Sequence, residues 1–102
     1  MRTVTICGSM RFAGEMQHIA LALETCHGMN VLQCTYNPRD AALSAEQVEQ
    51  ITKAHYKKIE LSDAIYVVDI GGYIGESVKQ EIAYAQSRGR EVICHSRFWP
   101  ER

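Results

Sequence analysis

The sequence predicts an α/β domain of the Rossmann or flavodoxin type: a parallel sheet with strand order about 2-1-3-4 and helices on both faces. Three observations carry that expectation. Short β-rich runs alternate with stretches of helical periodicity along all 102 residues. One run, "DAIYVVDI", is almost continuously apolar and branched, as a parallel strand covered on both sides must be. Right-handed crossovers between sequential parallel strands then leave few orders open.

Each element follows in turn. "TVTIC" (residues 3 to 7) is a short strand ending at "GSM". Phe12, Met16, Ile19, Ala20 and Leu23 then recur at helical spacing up to Gly28, a stop signal. "NVLQCTY" reads as a second strand, broken at Asn37 and Pro38, where proline cannot donate to a ladder. Ser44 with Gln47 is a capping-box start for a second helix ending near Leu61, whose inward stripe is Val48, Ile51, His55 and Ile59. "DAIYVVDI" is the expected central strand. A glycine loop and a third helix follow in "GGYIGESVKQEIAYA", with Ile74, Val78, Ile82 and Ala85 inward and Gly89 as the stop. "REVICH" is the last strand, and "RFWPER" is a poorly determined tail.

No composition shift, repeat or low-complexity segment divides residues 1 to 102, which read as one domain. With 11 Lys+Arg against 12 Asp+Glu and no basic run, the chain offers no track for a nucleic-acid polymer. It lacks a signal-like h-region and any apolar stretch near the ~20 residues that span a bilayer, so no membrane partner and a cytoplasmic location are expected. Cys7, Cys26, Cys34 and Cys94 form no C-x-x-C, and His18, His27, His55 and His95 show no metal-ligand spacing. Buried thiols, no metal and no cofactor are the expectation. A domain of this size buries roughly 60–70% of its unfolded surface. Its cleft is therefore shallow, and a homodimer or larger homo-oligomer is expected, with Tyr36, Tyr73, Phe98 and Trp99 as lid or interface groups.

In a sheet of this order, ligands bind outside the carboxyl ends of the strands, at the switch point between strands 1 and 3. Four polar segments converge there: Gly8-Ser9-Met10-Arg11, Tyr36-Asn37, Asp69-Ile70-Gly71-Gly72 and His95-Ser96. The turn "GSMR" presents backbone N–H groups at a helix N-terminus, and Arg11 adds a forked cation. A tight turn capped by Ser9 explains the same residues equally well. The glycines of "GGYIG" permit either close approach of a ligand or only a turn. Ser77 is the i−4 neighbour of Glu81, so both project from one side of the third helix, beside its buried stripe. Periodicity alone favours the commoner fate of such a glutamate, a solvated flank. For His55 it favours a core imidazole.

Taken together, "ICGSMR", "LSDAIYVVDI" and "GGYIGESVKQEIAYA" resemble the nucleoside 2-deoxyribosyltransferase-like superfamily, which includes the 2'-deoxynucleoside 5'-phosphate N-hydrolases. The likeness spans nearly the whole chain. It implies that Glu81 is a nucleophile attacking the anomeric carbon of a (deoxy)nucleoside or its 5'-monophosphate while the base departs, with Asp69 or His55 in support. It places Gly8, Ser9, Arg11, Gly72, Gly75 and Ser77 around the substrate and its phosphate. Two positions depart from the pattern: the family's active-site tyrosine in strand 1 falls at Thr5, and a supporting aspartate falls at His55. These departures favour a rival reading, a nucleotide-binding or sensing module that keeps the fold without turnover.

Overall fold

The structure is a computed structural model describing residues 1 to 99; the last three residues of the "RFWPER" tail lie outside the described residues. Four strands, β1 (Thr3–Gly8), β2 (Asn30–Leu32), β3 (Ala64–Val68) and β4 (Glu91–Cys94), make one parallel sheet in the order β2-β1-β3-β4. Helices α1 (Ala13–His27), α2 (Ala45–Glu60) and α3 (Glu76–Ser87) join successive strands, and a short α4 (His95–Phe98) follows β4. The expected architecture and order are those observed. All five residues of β3 are buried, which is why that stretch had to be apolar throughout.

Strand alternation sorts the core into two halves. Val4 and Ile6 of β1, with Ala64, Tyr66 and Val68 of β3, pack on Met16, Ile19, Ala20 and Leu23 of α1. Cys7, Ile65 and Val67 point the other way, onto Ile59 of α2 and Val78 and Ala85 of α3. Thr5 lies between Val4 and Ile6, so it belongs to the second side by parity. It is fully buried, and its hydroxyl lies 2.6 Å from that of Ser62.

The predicted helix signals work as local chemistry requires. Gly28 ends α1 in the left-handed conformation (φ 64°), its N–H donating to the Leu23 carbonyl. Ser44 and Gln47 form the reciprocal capping box, Gln47 N–H donating to Ser44 Oγ at 3.1 Å and Ser44 N–H to Gln47 Oε1 at 2.9 Å.

Three boundaries and one burial differ from expectation. β2 stops at Leu32, because it is an edge strand paired with β1 over three residues only, and Lys58 Nζ takes the next carbonyl, that of Gln33, at 2.6 Å. Cys34 and Tyr36 reach the core from a loop instead. β4 stops at Cys94, and His95 opens α4 rather than closing the strand. Ile74 packs from the loop before α3. Val48, expected inward, is 50% exposed, since α2 meets the core only from His55 onward. Among the described residues, no helix is long and apolar enough to cross a membrane.

Candidate active site at the carboxyl ends of the strands

The carboxyl ends of β1 and β3 open onto two cavities, one on each side of the sheet. The cavity between α2 and α3, of about 290 Å³, is lined by Gly8 and Met10 after β1, by Ile51, His55 and Tyr56 of α2, and by Ser77, Gln80 and Glu81 of α3, among others. Its volume sits near the lower end of small-ligand pockets, roughly 300–1,000 Å³. The one between α1 and α4, of about 680 Å³, is lined by residues that include His18, Asp69, His95, Ser96 and Trp99.

Glu81 enters the first cavity because Val78 and Ala85 pin α3 to the sheet, while position 81 lies on the flank that faces α2. The Glu81 side chain is 17% exposed, and its Oε1 is 3.3 Å from Nε2 of His55, whose side chain is 11% exposed. The solvated-flank alternative is therefore not its position. Cys7 Sγ lies 3.4 Å from the same Nε2. Nδ1 of His55 is buried without a hydrogen-bond partner among the described residues. Sulfur, nitrogen and carboxylate oxygen lie within 4.8 Å of one another. Burial first, and then the neighbouring Glu81 carboxylate, push the Cys7 thiol well above its ordinary range. The Tyr56 phenol is raised by the same two causes in the same order.

Of the residues singled out in sequence, Gly8, His55, Ser77 and Glu81 come together on this cavity. Gly8 has a packing reason as well: a Cβ there would come within 2.9 Å of Met16 Sδ and 3.2 Å of Val68 Cβ. Arg11 lies outside the lining. Its guanidinium carbon sits 3.8 Å over the Tyr73 ring, and Tyr73 in turn meets Phe12 edge-on. Ser9 accepts from the Arg11 N–H at 3.3 Å and so caps the 3-10 turn Met10–Phe12. Gly71 and Gly72 have φ of 65° and 78°, so the turn itself requires them, while Gly75 is the N-cap of α3. Ser9, Arg11, Gly72 and Gly75 thus lie outside the wall of the cavity, as a rim in which Arg11 and Gly75 stand beside Tyr73.

Asp69 goes to the opposite side. It is 7% exposed, and its carboxylate accepts from Ser96 N–H at 2.9 Å and from Ser96 Oγ at 2.7 Å, holding the first turn of α4. It does not line the cavity of Glu81. Sequence reasoning missed the contact of Cys7 with His55, and also Tyr56 and Gln80. For Cys7 a signal existed, its odd position in β1, which places it on the side opposite Ile6.

The fold and cavities define a parallel α/β protein with two largely buried carboxylates near the strand ends, Asp69 held by Ser96 and Glu81 on a cavity. No protein-family model matches the chain, and no curated protein does. Among solved structures, it is similar to the CMP N-glycosidase BcmB of Clostridium botulinum, with a TM-score of 0.60 and 19% identity over 91% of this chain and 70% of that one. At that identity the likeness is one of fold.

Proposed function

We propose that the chain cleaves or transfers the N-glycosidic bond of a (deoxy)nucleoside or nucleoside 5'-monophosphate, with Glu81 as the nucleophile. The observation that carries this reading is the placement of Glu81, a carboxylate only 17% exposed, on a cavity at the strand ends. The fold likeness to a protein described as a CMP N-glycosidase supports it. So does the resemblance of "ICGSMR" and "GGYIGES" to the nucleoside 2-deoxyribosyltransferase-like superfamily.

In this mechanism a Glu81 oxygen attacks the anomeric carbon as the bond to the base breaks, through an oxocarbenium-like state, leaving a glycosyl ester on Glu81. The departing nitrogen takes a proton from His55 or through Tyr56, both on the cavity wall. Water or a second base then attacks the ester, giving hydrolysis or transfer. Ser77 lies one turn from Glu81 on the same side of α3, suited to the sugar or its phosphate. Arg11 swings from Tyr73 to a 5'-phosphate. Asp69 supports the chemistry only indirectly, by fixing α4.

The binding-module reading draws on a specific observation: Thr5 is fully buried against Ser62 and supplies no hydroxyl to the cavity. Thermal-shift screening of nucleosides and nucleotides, followed by assay of the hits for released base, separates the two. Base release that disappears in Glu81→Gln is the expected result. Tight nucleotide binding with no base released from any hit establishes the binding module instead.

Self-association belongs to the same proposal. Leu43 and Val48 are 41% and 50% exposed at the start of α2, next to Ile51 of the cavity wall, so a second copy seated there both buries them and deepens the cavity. Light scattering is expected to show a dimer. A monomer at tens of micromolar, on the order of typical dimer affinities, removes this part.

A further inference from the structure

We propose that Cys7, His55 and Glu81 form a binding site for a borderline-soft divalent cation, Zn²⁺ being the fitting one. The three side chains come from three elements, β1, α2 and α3, and their donor atoms lie within 4.8 Å of one another. In a nucleophile-base-orienter relay, the imidazole uses one nitrogen toward the thiol and the other toward the carboxylate. Here Cys7 Sγ at 3.4 Å and Glu81 Oε1 at 3.3 Å both meet the same nitrogen, Nε2, and Nδ1 has no partner among the described residues. The thiol proton has its own acceptor in the Thr5 carbonyl, 3.9 Å from Sγ, so the point shared by Sγ, Nε2 and Oε1 is open to a cation.

The spacing suits a cation. Zinc bonds of about 2.0–2.3 Å in tetrahedral geometry separate neighbouring donors by about 3.3–3.8 Å, which matches the 3.3 Å and 3.4 Å separations. Thiolate, imidazole and carboxylate are the donor types that zinc accepts together. Three protein donors leave a tetrahedral ion one position for water, and the cavity lined by His55 and Glu81 has room for it. An oxygen of Glu81 that ligates Zn²⁺ cannot attack an anomeric carbon. Metal loading ties up that oxygen and draws charge from the other, so it slows the proposed glycosidase, a consequence that rests on the functional reading above, whereas ion binding does not.

The test uses the full chain freed of metal. Titration with Zn²⁺ against a chromophoric chelator is expected to give one ion per chain. Co²⁺ is expected to give a thiolate-to-cobalt charge-transfer band in the near ultraviolet together with the intense visible bands of a four-coordinate ion. Cys7→Ser should abolish the charge-transfer band, and Cys94→Ser should keep it. Should Cys7→Ser fail to fold, His55→Gln and Glu81→Gln carry the test, each weakening Zn²⁺ binding by at least about 10-fold. Absence of stoichiometric binding, a charge-transfer band that survives in Cys7→Ser, or wild-type affinity in both His55→Gln and Glu81→Gln overturns the site. The ion's own absorption needs no turnover, so this proposal stands or fails separately from the glycosidase.

Discussion

Two carboxylates lie near the carboxyl ends of the strands, one just past β3 and one midway along α3, and the sheet sends them to opposite fates. Asp69, just past β3, faces α4 and accepts two hydrogen bonds from Ser96 at 2.9 Å and 2.7 Å. Glu81, on α3, faces α2 and shares one imidazole nitrogen with a buried thiol. A carboxylate that accepts a backbone N–H and a hydroxyl is committed to holding backbone together. One that meets a titratable nitrogen and a thiol, with no backbone N–H to hold, keeps lone pairs for chemistry. The difference teaches that candidacy at a strand end depends on what already occupies the side chain, not on proximity to the switch point.

The largest expected effect tests the chemical side of this contrast. Glu81→Gln keeps the shape and removes the nucleophilic charge, so base release should fall at least about 10³-fold while nucleotide binding stays within a few-fold. Wild-type turnover by that variant on a confirmed substrate would break the covalent mechanism.

Arg11→Ala sharpens the role of the rim. The guanidinium now spends its face on Tyr73, and moving to a 5'-phosphate makes a charge-assisted contact of roughly 1.5–3 kcal/mol, about 10- to 150-fold in affinity. Binding titrations should show that loss for 5'-monophosphates and little change for the matching nucleosides. Equal losses for both ligands would make Arg11 a packing residue of the glycine loop.

Asp69→Asn tests the structural side. Replacing one acceptor oxygen by an amide should cost about 1–3 kcal/mol in urea unfolding, with nucleotide binding at the other cavity nearly unchanged. A variant of unchanged stability that lost base release would reverse the assignment and bring Asp69 into the chemistry.

The smallest effect lies at the far end of α2, away from both cavities. A hydrogen bond from the Tyr84 phenol first, then the Arg88 and Lys57 charges, lower the pKa of Glu60 below the usual glutamate range. A carboxyl with a depressed folded value adds stability above its unfolded value and loses it as pH falls through the folded one. Wild type should therefore exceed Glu60→Gln slightly at neutral pH, and the gap should close as the pH falls below the ~4.3 of an unfolded glutamate, as unfolding midpoints across that range would report. A constant difference down to lower pH would mean that the Tyr84 contact does not depend on the charge.

Much of this protein was legible in its sequence because the relevant signals are local. Helical and strand periodicities, the Ser44–Gln47 box and the Gly28 stop act over a few residues, and they determined the element order. Crossover handedness then determined the sheet order and the convergence of the four strand ends. Tertiary structure decided the rest, because it depends on register and on the rotation of each helix about its axis. The pairing of Gly8 with Val68 aligns the ends of β1 and β3, and strand parity turns Cys7 toward α2. The azimuth of α2 then brings His55 to it across 48 residues of chain, while leaving Val48 in solvent. The choice between Asp69 and Glu81 was of the same kind: both are acids near the carboxyl ends of the strands, and only packing shows that Ser96 has already taken one of them.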